Sequence, residues 1–105
     1  MAHPKRGDVW VVDLGLAAKV RPCLLLTDFP TDDELALVTV VPHTTALRGN
    51  KWEHICEKNF LQRGAFHLQQ IQSVSIAKLV RRLGEVDNDE LARIAEALGG
   101  RLGLH

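Results

Sequence analysis

Leu35-Ala36-Leu37-Val38-Thr39-Val40-Val41 is the most nearly continuous apolar run in the chain. It is short and rich in branched side chains, so it reads as a strand. A run with so little alternation belongs near the centre of a sheet, where both faces are covered. Pro42 is expected to end it. Upstream, Asp8-Val9-Trp10-Val11-Val12-Asp13-Leu14 reads as a first strand, and Cys23 to Thr27 as a second with Pro22 at its first residue or edge. Phe29-Pro30-Thr31-Asp32-Asp33 supplies a turn between the second strand and the central one. Downstream, Trp52-Glu53-His54-Ile55-Cys56 alternates with period two and reads as a fourth strand. Asn59 to Gly64 reads as a turn or a single helical turn, Ala65 to Gln70 as a fifth strand, Ser73 to Leu79 as a short helical turn, and Val80 to Val86 as a last strand.

The final segment has a different period. Asp87 and Glu90 are spaced as a capping box, and Leu91, Ile94, Ala95, Leu98 and Leu102 recur at helical spacing. Gly99-Gly100 is expected to weaken or end that helix. Its polar face is acidic, which favours packing against the sheet over lying on a membrane. Short strands closed by one C-terminal helix predict a mainly β fold, a small β-barrel whose closure removes exposed edges. A barrel of this size buries little area, so pairing with a second copy would help its stability.

The 105 residues make a single domain over 1–105, with 46% hydrophobic and 25% charged residues, which excludes disordered, collagen-like and coiled-coil classes. Thirteen basic residues balance thirteen acidic ones, yet the balance is local. Between Thr44 and Arg82 seven basic residues (Arg48, Lys51, Lys58, Arg63, Lys78, Arg81, Arg82) face two acidic ones (Glu53, Glu57). From Leu83 onward five carboxylates face two arginines, and Asp28, Asp32, Asp33 and Glu34 form an acidic knot. A neutral sum can therefore hide a basic surface suited to a polyanion. Cys23 and Cys56 are too few and too far apart for a zinc knuckle or a disulfide framework, and no metal or other cofactor is expected. The basic start, Met1-Ala2-His3-Pro4-Lys5-Arg6, has no apolar stretch behind it, and no apolar run approaches a membrane span of roughly 18 residues. The expected location is the cytoplasm, with no membrane partner.

Three places carry chemistry. In Lys19-Val20-Arg21-Pro22 the proline stiffens the backbone of an arginine, whose planar guanidinium suits bidentate contact with a phosphate; a surface ion pair is the plainer use. In Val41-Pro42-His43-Thr44-Thr45 the hydroxyls can donate to phosphate oxygens and His43 can exchange protons near neutrality, or the triplet is only a turn. The third is a basic stretch interleaved with rings and amides: Arg48, Lys51, Trp52, His54, Phe66, His67, Gln69, Gln70 and Gln72. Such a mixture suits single-stranded nucleic acid, although 5% aromatics offers few stacking rings.

In order along the chain, these pieces resemble the MazF/PemK (Kid-like) family of toxin ribonucleases from bacterial toxin–antitoxin modules. The matching segments are Arg6-Gly7-Asp8-Val9-Trp10-Val11-Val12-Asp13-Leu14, Lys19-Val20-Arg21-Pro22-Cys23-Leu24-Leu25-Leu26 and Val40-Val41-Pro42-His43-Thr44-Thr45. Gln70-Ile71-Gln72-Ser73-Val74 and Arg82-Leu83-Gly84-Glu85-Val86 continue the match to the closing helix, which ends Leu102-Gly103-Leu104. The resemblance implies an SH3-like β-barrel homodimer that cuts single-stranded RNA at short motifs without a metal. It further implies attack by the ribose 2′-hydroxyl on phosphorus, leaving a 2′,3′-cyclic phosphate or 3′-phosphate and a 5′-hydroxyl. The family's catalytic arginine and threonine fall on Arg21 and Thr44, with Thr45 the nearby fallback. Lys19, Thr45, Arg48, Lys51, Gln70 and Gln72 are expected to hold RNA. An antitoxin with an acidic C-terminal tail is the implied protein partner.

Two departures from the family pattern bear on mechanism. The connection Gly15-Leu16-Ala17-Ala18-Lys19-Val20 is short and has no carboxylate, and Gln72 stands where relatives often have Arg or Lys. His43 and His67 are therefore the candidates for proton transfer. Two alternatives stay open at this level: a CcdB-like gyrase poison, although the tail lacks a tryptophan, and a non-catalytic SH3-like RNA-binding module.

Overall fold

The computed structural model describes residues 3–15 and 19–104. Met1 and Ala2 of the basic N-terminal stretch, residues 16–18 of the short first connection, and His105 lie outside the described residues. Among the described residues seven strands precede one α-helix: β1 (Asp8–Asp13), β2 (Val20–Leu25), β3 (Leu37–Thr44), β4 (Glu53–Ile55), β5 (Ala65–His67), β6 (Gln72–Ser75), β7 (Leu79–Glu85) and α1 (Asn88–Leu102). All pairings are antiparallel, in the order β4–β5–β3–β2–β1–β7, with β6 also on β3. The mainly β reading with one C-terminal helix holds, but the sheet is not closed into a barrel. Its end strands, β4 and β7, do not pair with each other. With three residues each, β4 and β5 are too short to carry a ladder round to β7.

The central strand is longer than its apolar run. β3 passes through Pro42 to Thr44, whereas Leu35 and Ala36 lie outside it. Pro42 is tolerated because β3 changes partners there. It pairs with β6 over Leu37–Val40, with β2 over Val40–Pro42, and with β5 at His43 and Thr44. A missing N–H at the changeover interrupts no continuous ladder. The consequence for function is direct, because His43 and Thr44 are strand residues, not the turn the proline suggests. β2 likewise begins at Val20, and its ladder with β3 ends at Cys23, which leaves Pro22 at the margin of that pairing.

Two further corrections lie downstream. Gln72–Ser75 is a strand, β6, and only Ile76–Lys78 of the expected helical turn is helical. The fifth strand stops at His67 and gives way to a 3-10 turn over Leu68–Gln70.

Alternation along the strands divides the core. Val9, Leu24, Val41 and Phe66 face α1 and pack with Leu91, Ile94 and Leu98, while Val12, Cys23, Leu25, Val38, Val40 and Val74 form a second cluster. The sheet thus has an apolar surface on both sides, which is why β3 alternates so little. Burial pushes the free thiols up, Cys23 to about 12 and Cys56 to about 11, so both pack as inert apolar groups.

The helix starts where expected. The side chain of Asp87 accepts from the Glu90 N–H at 2.8 Å. The Glu90 carboxylate does not complete a capping box; it meets His54 Nε2 at 2.5 Å and Arg93 at 3.4 Å, which ties α1 to β4. Gly99-Gly100 does not end the helix. Gly103 does, at φ 73°, as Leu104 N–H returns to the Gly99 carbonyl. Among the described residues, no helix is long and apolar enough to cross a membrane.

Burial pushes the Glu90 carboxyl up, but the hydrogen bond and charge of His54, aided by Arg93, outweigh it and hold the group below its usual 4.5. A depressed carboxyl stabilises the fold above about pH 4.5, and that stabilisation fades as pH falls through the folded-state value. Glu90→Ala is accordingly expected to lower stability by about 1.5–3 kcal/mol at pH 7, with the deficit shrinking towards pH 3. Urea unfolding at both pH values checks this, and an unchanged deficit would show that the pair contributes through packing alone.

Candidate active site

Strand register brings the chemistry together. Cys23 and Leu25 face the second cluster, so Arg21, two residues before Cys23, faces the same way. Val38 and Val40 face it from β3, so Thr44 does too. The β2–β3 ladder ends at Cys23 opposite Pro42, and Arg21 and Thr44 each lie two residues beyond that last pair. Thr44 pairs with Ala65, which places His67 on the same face, diagonally across from Thr44. Gln72 pairs with Val40 and joins them from β6.

These side chains line one cavity of about 630 Å³ with Leu14, His43, Ala46, Arg48, Gln70 and Ile71. Its charged lining, Arg21 and Arg48, is cationic. Thr44 Oγ1 accepts from the Ala46 N–H at 3.1 Å, which fixes the oxygen while its own proton remains to donate. Arg48 is positioned by its backbone. Glu53 accepts from the N–H groups of Arg48 (2.7 Å), Gly49 (2.7 Å) and Asn50 (3.1 Å), folding that loop around one carboxylate. The Arg48 bond leads in holding Glu53 below its usual 4.5, against some opposition from burial, and the Gly49 and Asn50 bonds and the nearby His67 assist. Sequence reading missed Glu53; its alternation with His54 was visible, its three backbone donors were not.

The histidines differ. His43 is 3% exposed, meets Phe66 edge-on at 5.3 Å, and is pushed down from the ordinary 6.5 by burial, so it stays neutral at neutral pH. His67 is half-buried. His43 Nε2 and His67 Nδ1 are buried side-chain atoms without a hydrogen-bond partner, and both residues line this cavity. A buried polar atom left without a partner costs about 1–3 kcal/mol.

Other expected residues fall elsewhere. Lys19 sits in the first connection at φ 56°, and its carbonyl accepts from the Leu14 N–H at 2.8 Å. Thr45 lines a neighbouring hollow with Val11, Pro22 and Arg81. Lys51 lies 4.9 Å over the Trp52 ring, which Arg101 also approaches at 5.4 Å. Arg82 is taken up by buried Asp8 at 3.3 Å and by Glu85 at 3.7 Å. Phe66 is fully buried, so the anticipated stacking rings do not reach the cavity.

A family profile described as "PemK-like, MazF-like toxin of type II toxin-antitoxin system" matches residues 5–100. The chain is 33% identical over 100 residues to a Mycobacterium tuberculosis protein named "Probable endoribonuclease MazF5", covering 92% of this chain and 91% of that one. The same architecture occurs in a MazE–MazF crystal structure from Deinococcus radiodurans (TM-score 0.82, 21% identity, both chains covered in full). It also occurs in a mycobacterial endoribonuclease in complex with its cognate antitoxin (TM-score 0.80, 27% identity, 97% of each chain).

Proposed function

The chain belongs to the PemK-like, MazF-like toxin family of type II toxin–antitoxin systems, and from that premise we propose that it cleaves single-stranded RNA with Arg21 and Thr44 as its catalytic pair. It is a toxin endoribonuclease of such a module. The observation that supports the catalytic assignment is that Arg21 and Thr44 line one cationic cavity at the end of the β2–β3 ladder. Attack of a 2′-hydroxyl on the adjacent phosphorus gathers negative charge on the equatorial oxygens. A guanidinium and a fixed hydroxyl stabilise that charge without reorganising. These are protein groups, so cleavage is expected to persist in a chelator. Arg48, Gln70 and Gln72 hold the flanking nucleotides, with Lys19, Thr45 and Lys51 reaching only RNA that leaves the cavity.

The natural inhibitor is an antitoxin whose acidic tail competes for the same two arginines. A homodimer of single-domain chains in the cytoplasm completes the reading. Val20 and Val80, exposed on the two strands that flank β1, support a self-association face. The gyrase-poison alternative gives way to the family match over residues 5–100.

Long single-stranded RNA incubated with the protein in EDTA tests the reading. Cuts at a recurring short motif, with 5′-hydroxyl and cyclic or 3′-phosphate ends, are expected. Binding without cutting by folded protein would leave only an RNA-holding module.

A further inference from the structure

We propose that His67, with Glu53 behind it, is the proton acceptor for the attacking 2′-hydroxyl. The inference rests on the ribonuclease reading and adds the base that the first connection, without a carboxylate, does not supply.

Four strands put the groups in a row. Arg21 on β2 and Thr44 on β3 line one cavity, His67 on β5 lies diagonal to Thr44, and Glu53 on β4 pairs directly with His67. Diagonal neighbours on one sheet face stand about 7–8 Å apart, and a phosphodiester held between a hydroxyl and an imidazole spans that distance. His67 lines the cavity with its Nδ1 buried, so the part is assigned to Nε2. His43 cannot take this part. It lines the cavity too, but its cross-strand partner is Phe66, against which its ring packs edge-on, so Glu53 is not paired behind it.

Glu53 completes the arrangement. Three backbone N–H groups fix its carboxylate in place, so it acts on His67 as a stationary negative charge. The other titratable or charged groups around His67 are Arg21 from β2, His43 from β3 and Arg48 from the loop before β4.

The step balances. The 2′-oxygen gives its proton to Nε2 and forms the new O–P bond, the P–O5′ bond breaks, and the departing 5′-oxygen takes a proton from water. The hydroxide left behind accepts the proton from His67, which returns the site to its starting state. Net products are a 2′,3′-cyclic phosphate and a 5′-hydroxyl.

The test is single-turnover cleavage of an oligoribonucleotide carrying the mapped motif, followed from pH 5 to 8.5. Wild-type kcat/KM is expected to fall on the acid side through one ionisation. His67→Gln should lower the rate about 10²–10⁴-fold and abolish that acid limb while circular dichroism stays unchanged. Glu53→Gln should lower the rate less than His67→Gln and keep the limb, since His67 is still present. A His67→Gln rate within threefold of wild type with the limb intact overturns the proposal. So does a wild-type profile with no acid limb, a result that needs no variant to fold. Wild type that cuts no RNA at any pH overturns the ribonuclease reading itself.

Discussion

Replacing Arg21 with alanine lowers single-turnover RNA cleavage by about 10²–10³-fold, with unfolding temperature nearly unchanged. The magnitude is that of removing one pre-placed donor from the charge that develops at the transition state. The structural cost is expected to be small beside this, since Arg21 is exposed and precedes the buried run Cys23–Leu25. Arg21→Lys should recover little, because an ammonium cannot present two parallel donors to one phosphate. Thr44→Ala should cost less than Arg21→Ala, since a neutral hydroxyl stabilises charge less than a guanidinium. The double variant should fall short of the product of the two, as groups acting on one transition state are not additive. If Arg21→Ala instead weakens RNA binding with the bound rate unaltered, the arginine is a docking residue and the catalytic assignment is wrong.

How much of this was legible beforehand depends on whether the feature is local. The C-terminal helix was readable because a 3.6-residue period and an Asp87 cap are written in neighbouring residues. β6 was not, since Gln72–Ser75 has one apolar residue, Val74, and becomes a strand only because β3 offers it a free edge over Leu37–Val40. Pro42 misled for the same reason: whether a proline breaks a strand depends on which partner is present at that step. Arg21 and Thr44 could be named in advance through resemblance, but their meeting in one cavity depends on how β2 and β3 pair, which no short stretch contains. Glu53 shows the limit most sharply. Its charge was visible, while its role depends on a loop that returns three N–H groups to it and on a cross-strand pairing with His67. The orphaned nitrogens of His43 and His67 belong with it, because a missing partner is a property of packing.

The second large effect is expected at a residue with no side chain. A Cβ built on Gly64 would lie 2.1 Å from the Thr44 carbonyl oxygen and 2.9 Å from His43 Cε1. Gly64 immediately precedes β5, so the close approach is what lets β5 pair with the end of β3. Gly84 offers the instructive contrast. Its Cβ would meet Phe60 ring atoms at 2.5–2.8 Å, and a half-buried ring can turn aside. The Thr44 carbonyl is backbone and can move only by carrying Thr44 and His43 with it. Gly64→Ala is therefore expected at or above the upper end of the roughly 1–3 kcal/mol range for overpacking. For a chain of this size that is a fall of roughly 10–20 °C in Tm. Gly84→Ala should cost distinctly less. Cleavage should drop about 10²-fold for Gly64→Ala even at temperatures where the variant is folded, because displacing Thr44 by about 1 Å misaligns the hydroxyl with the phosphate. Thermal unfolding beside single-turnover rates at 15 °C separates the two effects. Lost stability with full activity would mean that β3 and β5 yield at Gly64 without moving Thr44. Loss of both ties the architecture to the chemistry, with one strand junction holding the sheet together and the reacting hydroxyl in place.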